Sequence, residues 1–218
     1  MSLADLFHQL SLLIGLPAVA LAGGAAAIIV IARDWRLALF AYAVLSVMLA
    51  LLLSQVIPTE WELLQAIVGG LNAVMFYLSA RQLRGLAFRA LPWEARWPQM
   101  ASLSSFRLLA VGLAAVTFFA VRDDVTLPVV GPLFRDAILW LGLAALLGLA
   151  LHEEPLHAGL SLLTFLGGFQ LLLLSLSQRR VFVTLGMTGQ LALGLAISYL
   201  VISRGLAALD NDQAGRPT

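Results

Sequence analysis

Seven long apolar runs, each closed by a short charged or proline-bearing stretch, organise the chain: 11–32, 37–57, 61–80, 106–121, 133–151, 156–176 and 181–203. A helix rises 1.5 Å per residue and needs about 20 residues to cross about 30 Å of hydrocarbon. Most of the runs approach that length, which predicts an all-α, polytopic integral membrane protein with about seven transmembrane helices. The fourth run is short. The fifth begins behind Pro128, Gly131 and Pro132 with Arg135 and Asp136 near its start, so six spans is the alternative count. Neighbours in sequence do not face each other squarely on a helix, and Arg135 and Asp136 are each expected to pair elsewhere. Residues 1–209 read as a single transmembrane domain and 210–218, DNDQAGRPT, as a polar tail. Met1–Leu10 holds Asp5 but no Lys or Arg, unlike a cleaved signal peptide, so the first run is expected to stay in the membrane.

Composition sharpens this picture. Of the 218 residues 61% are hydrophobic and 11% charged, against about 25% charged in a soluble domain, and the mean hydropathy is +0.96. The absence of cysteine excludes disulfides, thiolate metal ligands, iron–sulfur clusters and thiol nucleophiles. Three histidines, His8, His152 and His157, are a poor basis for a haem or zinc site, and no cofactor is expected. All 13 basic residues are arginine. With so much alanine, leucine and glycine, that reads as the coding bias of a GC-rich bacterium. The arginines lie between apolar runs rather than on one face, which speaks against nucleic acid as a partner.

Arginine position also sets an expected orientation. Seven spans put Arg33, Arg36, Arg81, Arg84, Arg89, Arg96, Arg107, Arg204 and Arg216 on one side and Arg122, Arg135, Arg179 and Arg180 on the other. The positive-inside rule then places the amino terminus outside and the carboxyl terminus inside a bacterial cytoplasmic membrane. The loop 81–105 sets Leu86, Phe88, Leu91, Trp93 and Trp97 among Arg84, Arg89 and Arg96. It reads as an interfacial stretch that meets anionic lipid or a docking partner.

The two halves echo each other. Arg33-Asp34-Trp35-Arg36 opens the second run and His152-Glu153-Glu154-Pro155 the sixth. The next runs carry Gly69, Gly70 and Asn72 in one half and Gly186, Gly189 and Gln190 in the other. A parallel three-plus-one-plus-three repeat would explain this, as in transporters whose substrate site lies between halves. The deep polar groups are neutral: Asn72, Gln170, Thr188 and Gln190. Ionisable groups well inside a bilayer mark ion paths, and Asp34, Glu60, Glu62, Glu153 and Glu154 all fall near run ends. The amides are expected to bond between helices or to line a substrate cavity. The paired glycines Gly23/Gly24, Gly69/Gly70 and Gly167/Gly168 are expected to permit close helix contact. His152, Glu153, Glu154 and His157 form the densest titratable cluster, a candidate for proton handling or partner contact. Pro155 favours a helix start there, and the histidine spacing is not that of a helical metal motif.

The stretch Glu154-Pro155-Leu156-His157-Ala158-Gly159-Leu160-Ser161-Leu162-Leu163-Thr164-Phe165-Leu166 resembles a span of the J-type membrane-arm subunit of respiratory complex I, and related segments occur in multisubunit sodium/proton antiporters. The likeness extends through Tyr199. Size and helix number are similar to those of the E-type membrane component of hydrogenase-4 complexes. The resemblance implies a non-redox helical subunit packed beside ion-translocating subunits. The chain lacks the mid-span glutamate of a K-type subunit, and its seventh run lacks the J-type glycine and tyrosine segment. The expected function is therefore a non-catalytic subunit of a larger energy-transducing or ion-translocating membrane complex, with other integral membrane subunits and lipids as partners. The alternative is a small transporter with its path between two three-helix units. A membrane enzyme ranks third: Asp123-Asp124 lacks spaced acidic partners, and Ser161 has no evident base.

Overall fold

Prolines and acidic residues at the run boundaries set the helix starts. Proline has a fixed φ near −65° and no N–H to leave unpaired, so it fits the first turn of a helix. Pro17, Pro132 and Pro155 all sit there, and Asp34 caps the following helix by accepting the Arg36 N–H at 3.1 Å. A computed structural model of the chain describes residues 15–56, 59–87, 100–125, 130–177 and 179–214. Among the described residues every regular element is a helix: α1 Leu16–Ile31, α2 Trp35–Leu53, α3 Thr59–Ala87, α4 Met100–Val121, α5 Pro132–Leu151, α6 Pro155–Leu176 and α7 Arg180–Ala214. Helix α3 runs into the stretch read as an interfacial loop, and α7 continues into the stretch read as a polar tail.

By length and composition five of these are able to cross a membrane: α2, α3 over Trp61–Gln82, α5, α6, and α7 over Arg180–Arg204. Leu16–Ile31 and Ser105–Val121 are apolar but shorter.

The contacts define two layers. Helices α1, α2 and α3 pack in order, and so do α5, α6 and α7; α1 then lies on α5, α2 on α6 and α3 on α7. Helix α4 stands outside, against α1 and α5. Side-chain pairings fix the directions. Gly23 meets Trp140 and Val30 approaches Gly148, so α1 and α5 run parallel; Gly148 meets Ser161 and Gly168 meets Leu141, so α5 and α6 run antiparallel. Ser46 against Gly69 and Tyr42 against Phe76 make α2 and α3 antiparallel.

Glycine brings the helices together, both between the layers and within each. A Cβ at Gly167 would meet Leu49 Cδ1 at 2.7 Å, and one at Gly148, Gly159 or Gly69 would collide with Ser161, Ile197 or Ser46. With no hydrophobic force between helices in lipid, such close approach supplies the dispersion contact that holds them. The core centres on α2, where Leu45, Leu51, Leu52 and Leu53 are buried together with Phe76 of α3 and Leu160 and Leu163 of α6.

Candidate functional site

The polar residues of α3 recur on one face. Glu62, Gln65, Asn72 and Ser79 are all buried, separated by turns that carry Gly69 and Phe76. That face lies on α6 and α7, where Gln170 and Gln190 are buried too. Three glutamines close a ring. Gln65 Nε2 donates to Gln190 Oε1 at 2.9 Å, Gln190 Nε2 to Gln170 Oε1 at 2.7 Å, and Gln170 Nε2 to Gln65 Oε1 at 3.2 Å. Each amide gives one N–H and takes one. Turning all three amides over reverses the ring's direction and keeps its three bonds.

Asn72 extends the seam by about two turns. Its Nδ2 donates to the Gln190 carbonyl at 3.3 Å, and its side chain also meets Tyr42 of α2. Asn72 Oδ1 is buried without a hydrogen-bond partner, as is Ser198 Oγ farther along α7. Glycines on α7 make the room: a Cβ at Gly194 would collide with Asn72, and one at Gly186 would lie 2.6 Å from the Gln170 amide carbon. The sequence expectation of inter-helix contact from Asn72, Gln170 and Gln190 thus meets an actual network. Thr188 stands apart, exposed on another face of α7. Gln65 was missed because it lies close to the charged start of its run; its spacing of seven from Asn72 is the signal that places both on one face.

The His152 cluster lies where α5 gives way to α6. His152 Nδ1 is 2.9 Å from the Gly148 carbonyl, and His157 Nδ1 is 3.1 Å from Glu154 Oε2. The rings stack, with centroids 4.8 Å apart and planes 5° from parallel. Both Nε2 atoms are buried without a hydrogen-bond partner. Burial pushes the His152 pKa down to about 4; His157 and Arg107 push the same way, while the Gly148 carbonyl and Glu154 oppose them. A neutral His152 that donates through Nδ1 presents Nε2 as a lone pair. Glu153 points outward, exposed. Among the described residues no three His, Asp or Glu side chains converge as a metal site requires.

At the opposite end of α5 one sequence expectation is corrected. Arg135 and Asp136 pair with each other: Nη2 and Nε donate to Asp136 Oδ1 at 2.9 and 3.1 Å, and Asp123 lies 3.7 Å from Nη2. Backbone spacing separates neighbours on a helix, but the long arginine stem folds back within the first turn and closes the gap. Of the proposed interfacial residues, Arg84 belongs to the last turn of α3, and Arg89, Trp93, Arg96 and Trp97 lie outside the described residues.

No protein-family model, curated protein or solved structure matches this chain. Fold and seam together define its class as an all-helical protein with several helices suited to a membrane, joined internally by neutral amides. The chemistry available in that seam is hydrogen bonding between carboxamides.

Proposed function

We propose that the chain is a non-catalytic integral membrane subunit of a larger bacterial energy-transducing or ion-translocating complex. The observation that supports this most is the closed ring of Gln65, Gln170 and Gln190. A conduction path needs polar groups that turn toward its cargo, whereas these amides bind each other and fasten α3, α6 and α7. The likeness of the α6 stretch to small membrane-arm subunits of complex I and cation/proton antiporters points the same way. All seven helices span in this reading, and arginine counting sets the amino terminus outside and the carboxyl terminus inside.

A second reading, a small facilitator built from two three-helix repeats, is favoured by a shared register. Ala32 and His152 close their helices with the same backbone bond, to Ile28 and Gly148, and Asp34 and Glu154 open the next helices alike. Ser46 faces Gly69 as Leu166 faces Gly189. All these pairs are separated by one and the same sequence interval. The unpaired Asn72 Oδ1 lies between the two layers, against Gly194, where a substrate would pass.

Extraction of native membranes in mild detergent, followed by the mass and composition of the particle, separates the two. A stoichiometric assembly with other membrane subunits is expected. A monomer or homo-oligomer that supports substrate-dependent flux in liposomes overturns the first reading in favour of the second.

A further inference from the structure

Helices α1, α4 and α5 enclose a cleft of about 420 Å³ on the side of the molecule away from the amide seam. That volume falls within the about 300–1,000 Å³ of sites that hold small molecules. Small residues of α1 create it: Gly23, Gly24 and Ala27 form one wall, and the space outside Gly24 is open. Phe118 and Phe119 of α4 form the facing wall. Trp140 of α5 stands edge-on to Phe118 at 5.4 Å and is fixed by its Nε1–H, which donates to the Gly23 carbonyl at 2.9 Å.

One end of the cleft is marked by Leu16, Leu133 and Arg122. These belong to the first turns of α1 and α5 and to the residue after the last turn of α4, so this end lies at a membrane face. At 1.5 Å per residue, α1 carries the cleft about 16 Å inward from Leu16 to Ala27. That is about half of a 30 Å hydrocarbon core, the depth of one leaflet.

The mouth is charged: Arg122 and Asp136 line it, and the Asp136 carboxylate is taken by Arg135 at 2.9 Å. Arg122 is held over the Phe119 ring at 5.2 Å, its nearest acid is Asp123 at 3.6 Å, and its buried Nε has no hydrogen-bond partner. A guanidinium short of an acceptor suits a phosphate, whose oxygens match its fork. We propose that the cleft binds one phospholipid from the leaflet at which α1 begins, with an acyl chain along Gly24 between α1 and α4 and the phosphate accepting from Arg122. The bilayer itself supplies this ligand, and the site is independent of whether the chain serves as a subunit or a facilitator.

The test uses the full chain, purified in detergent and stripped of lipid. It is titrated with phosphatidylglycerol, phosphatidylethanolamine and the diacylglycerol of the same chains, and bound copies are counted by native mass spectrometry. One copy of either phospholipid is expected to bind about tenfold or more tightly than diacylglycerol, through the charge-assisted bonds to phosphate. Arg122→Gln removes that advantage, and Arg122→Lys, which keeps the charge but not the fork, retains only part of it. Gly24→Leu, whose side chain enters open space and so keeps the fold, fills the cleft and abolishes the tight copy. Equal binding of diacylglycerol, or an unchanged tight copy in both Arg122→Gln and Gly24→Leu, overturns the proposal. If Arg122→Gln does not fold, Gly24→Leu and the diacylglycerol comparison decide it alone.

Discussion

The seam of α3, α6 and α7 and the cleft of α1, α4 and α5 are built from the same small residues, used in opposite ways. In the seam, glycines are filled: Gly186 receives Gln170 and Gly194 receives Asn72. In the cleft, Gly24 faces open space. The polar groups differ likewise. Seam glutamines satisfy one another inside the protein, whereas Arg122 at the cleft mouth has a buried Nε that makes no hydrogen bond among the described residues, its nearest acid being Asp123 at 3.6 Å. A small residue therefore signals close packing only where another helix arrives to use the space. The same comparison teaches that polar residues in lipid divide into those that close on each other and those that wait for something outside.

Acid is expected to produce the largest effect, at the junction of α5 and α6. His152 is 7% exposed and its pKa is lowered from 6.5 to about 4 by burial. Above about pH 6.5 both folded and unfolded chains are neutral at this ring, and its contribution is complete. Between there and about pH 4 only the unfolded chain takes the proton, so stability falls as pH falls. The loss on going from about pH 7.5 to about pH 4.5 is on the order of 3 kcal/mol. Thermal unfolding in detergent measures it, with His152→Gln expected to flatten that part of the profile. Equal pH profiles for the two proteins would remove His152 as the source.

Filling the seam comes next. Gly194→Ala drives a methyl into Asn72 and should cost about 2 kcal/mol, the middle of the range for overpacking. The matching change in the cleft, Gly24→Ala, should stay within about 0.5 kcal/mol. Equal melting shifts for the two would erase the contrast drawn between them. The smallest effect expected in the seam comes from the ring. Gln190→Leu breaks two of its bonds, each worth about 0.6 kcal/mol and at most about 1.7 in a membrane interior. A loss of about 1 kcal/mol is expected, and a double-mutant cycle with Gln65→Leu should show coupling, since each already breaks the bond they share.

Much of the scaffold was legible in the chain because charges and prolines interrupt apolar runs. Pro132 and Pro155 locate the starts of α5 and α6 within one residue of the run boundaries, and Asp34 does nearly as well for α2. Helix ends in polar sequence were less legible: α3 and α7 both run past the ends of their apolar runs, since backbone hydrogen bonds propagate a helix regardless of hydropathy. In the candidate sites, Asn72, Gln170 and Gln190 could be singled out as deep amides, but their partners could not. Ring closure depends on which faces of three helices meet, which the positions of Gln65, Gln170 and Gln190 along the chain do not give. Adjacent glycines posed the same difficulty, for neighbours on a helix point about 100° apart. Gly69 is filled by Ser46 while Gly70 faces open space. The Arg135–Asp136 pair is not legible from backbone geometry alone, because the reach of the arginine side chain decides it.

The ring also has a meaning in time. A ribosome delivers Gln65 long before Gln170 and Gln190, so α3 enters the membrane with an amide whose partners do not yet exist. Until α7 arrives, that amide must be served by water, by the insertion machinery or by another chain. The last helix therefore closes a bond that the third has held open, and a chain stopped short of Gln190 exposes its incompleteness to any quality-control factor that recognises polar groups in lipid.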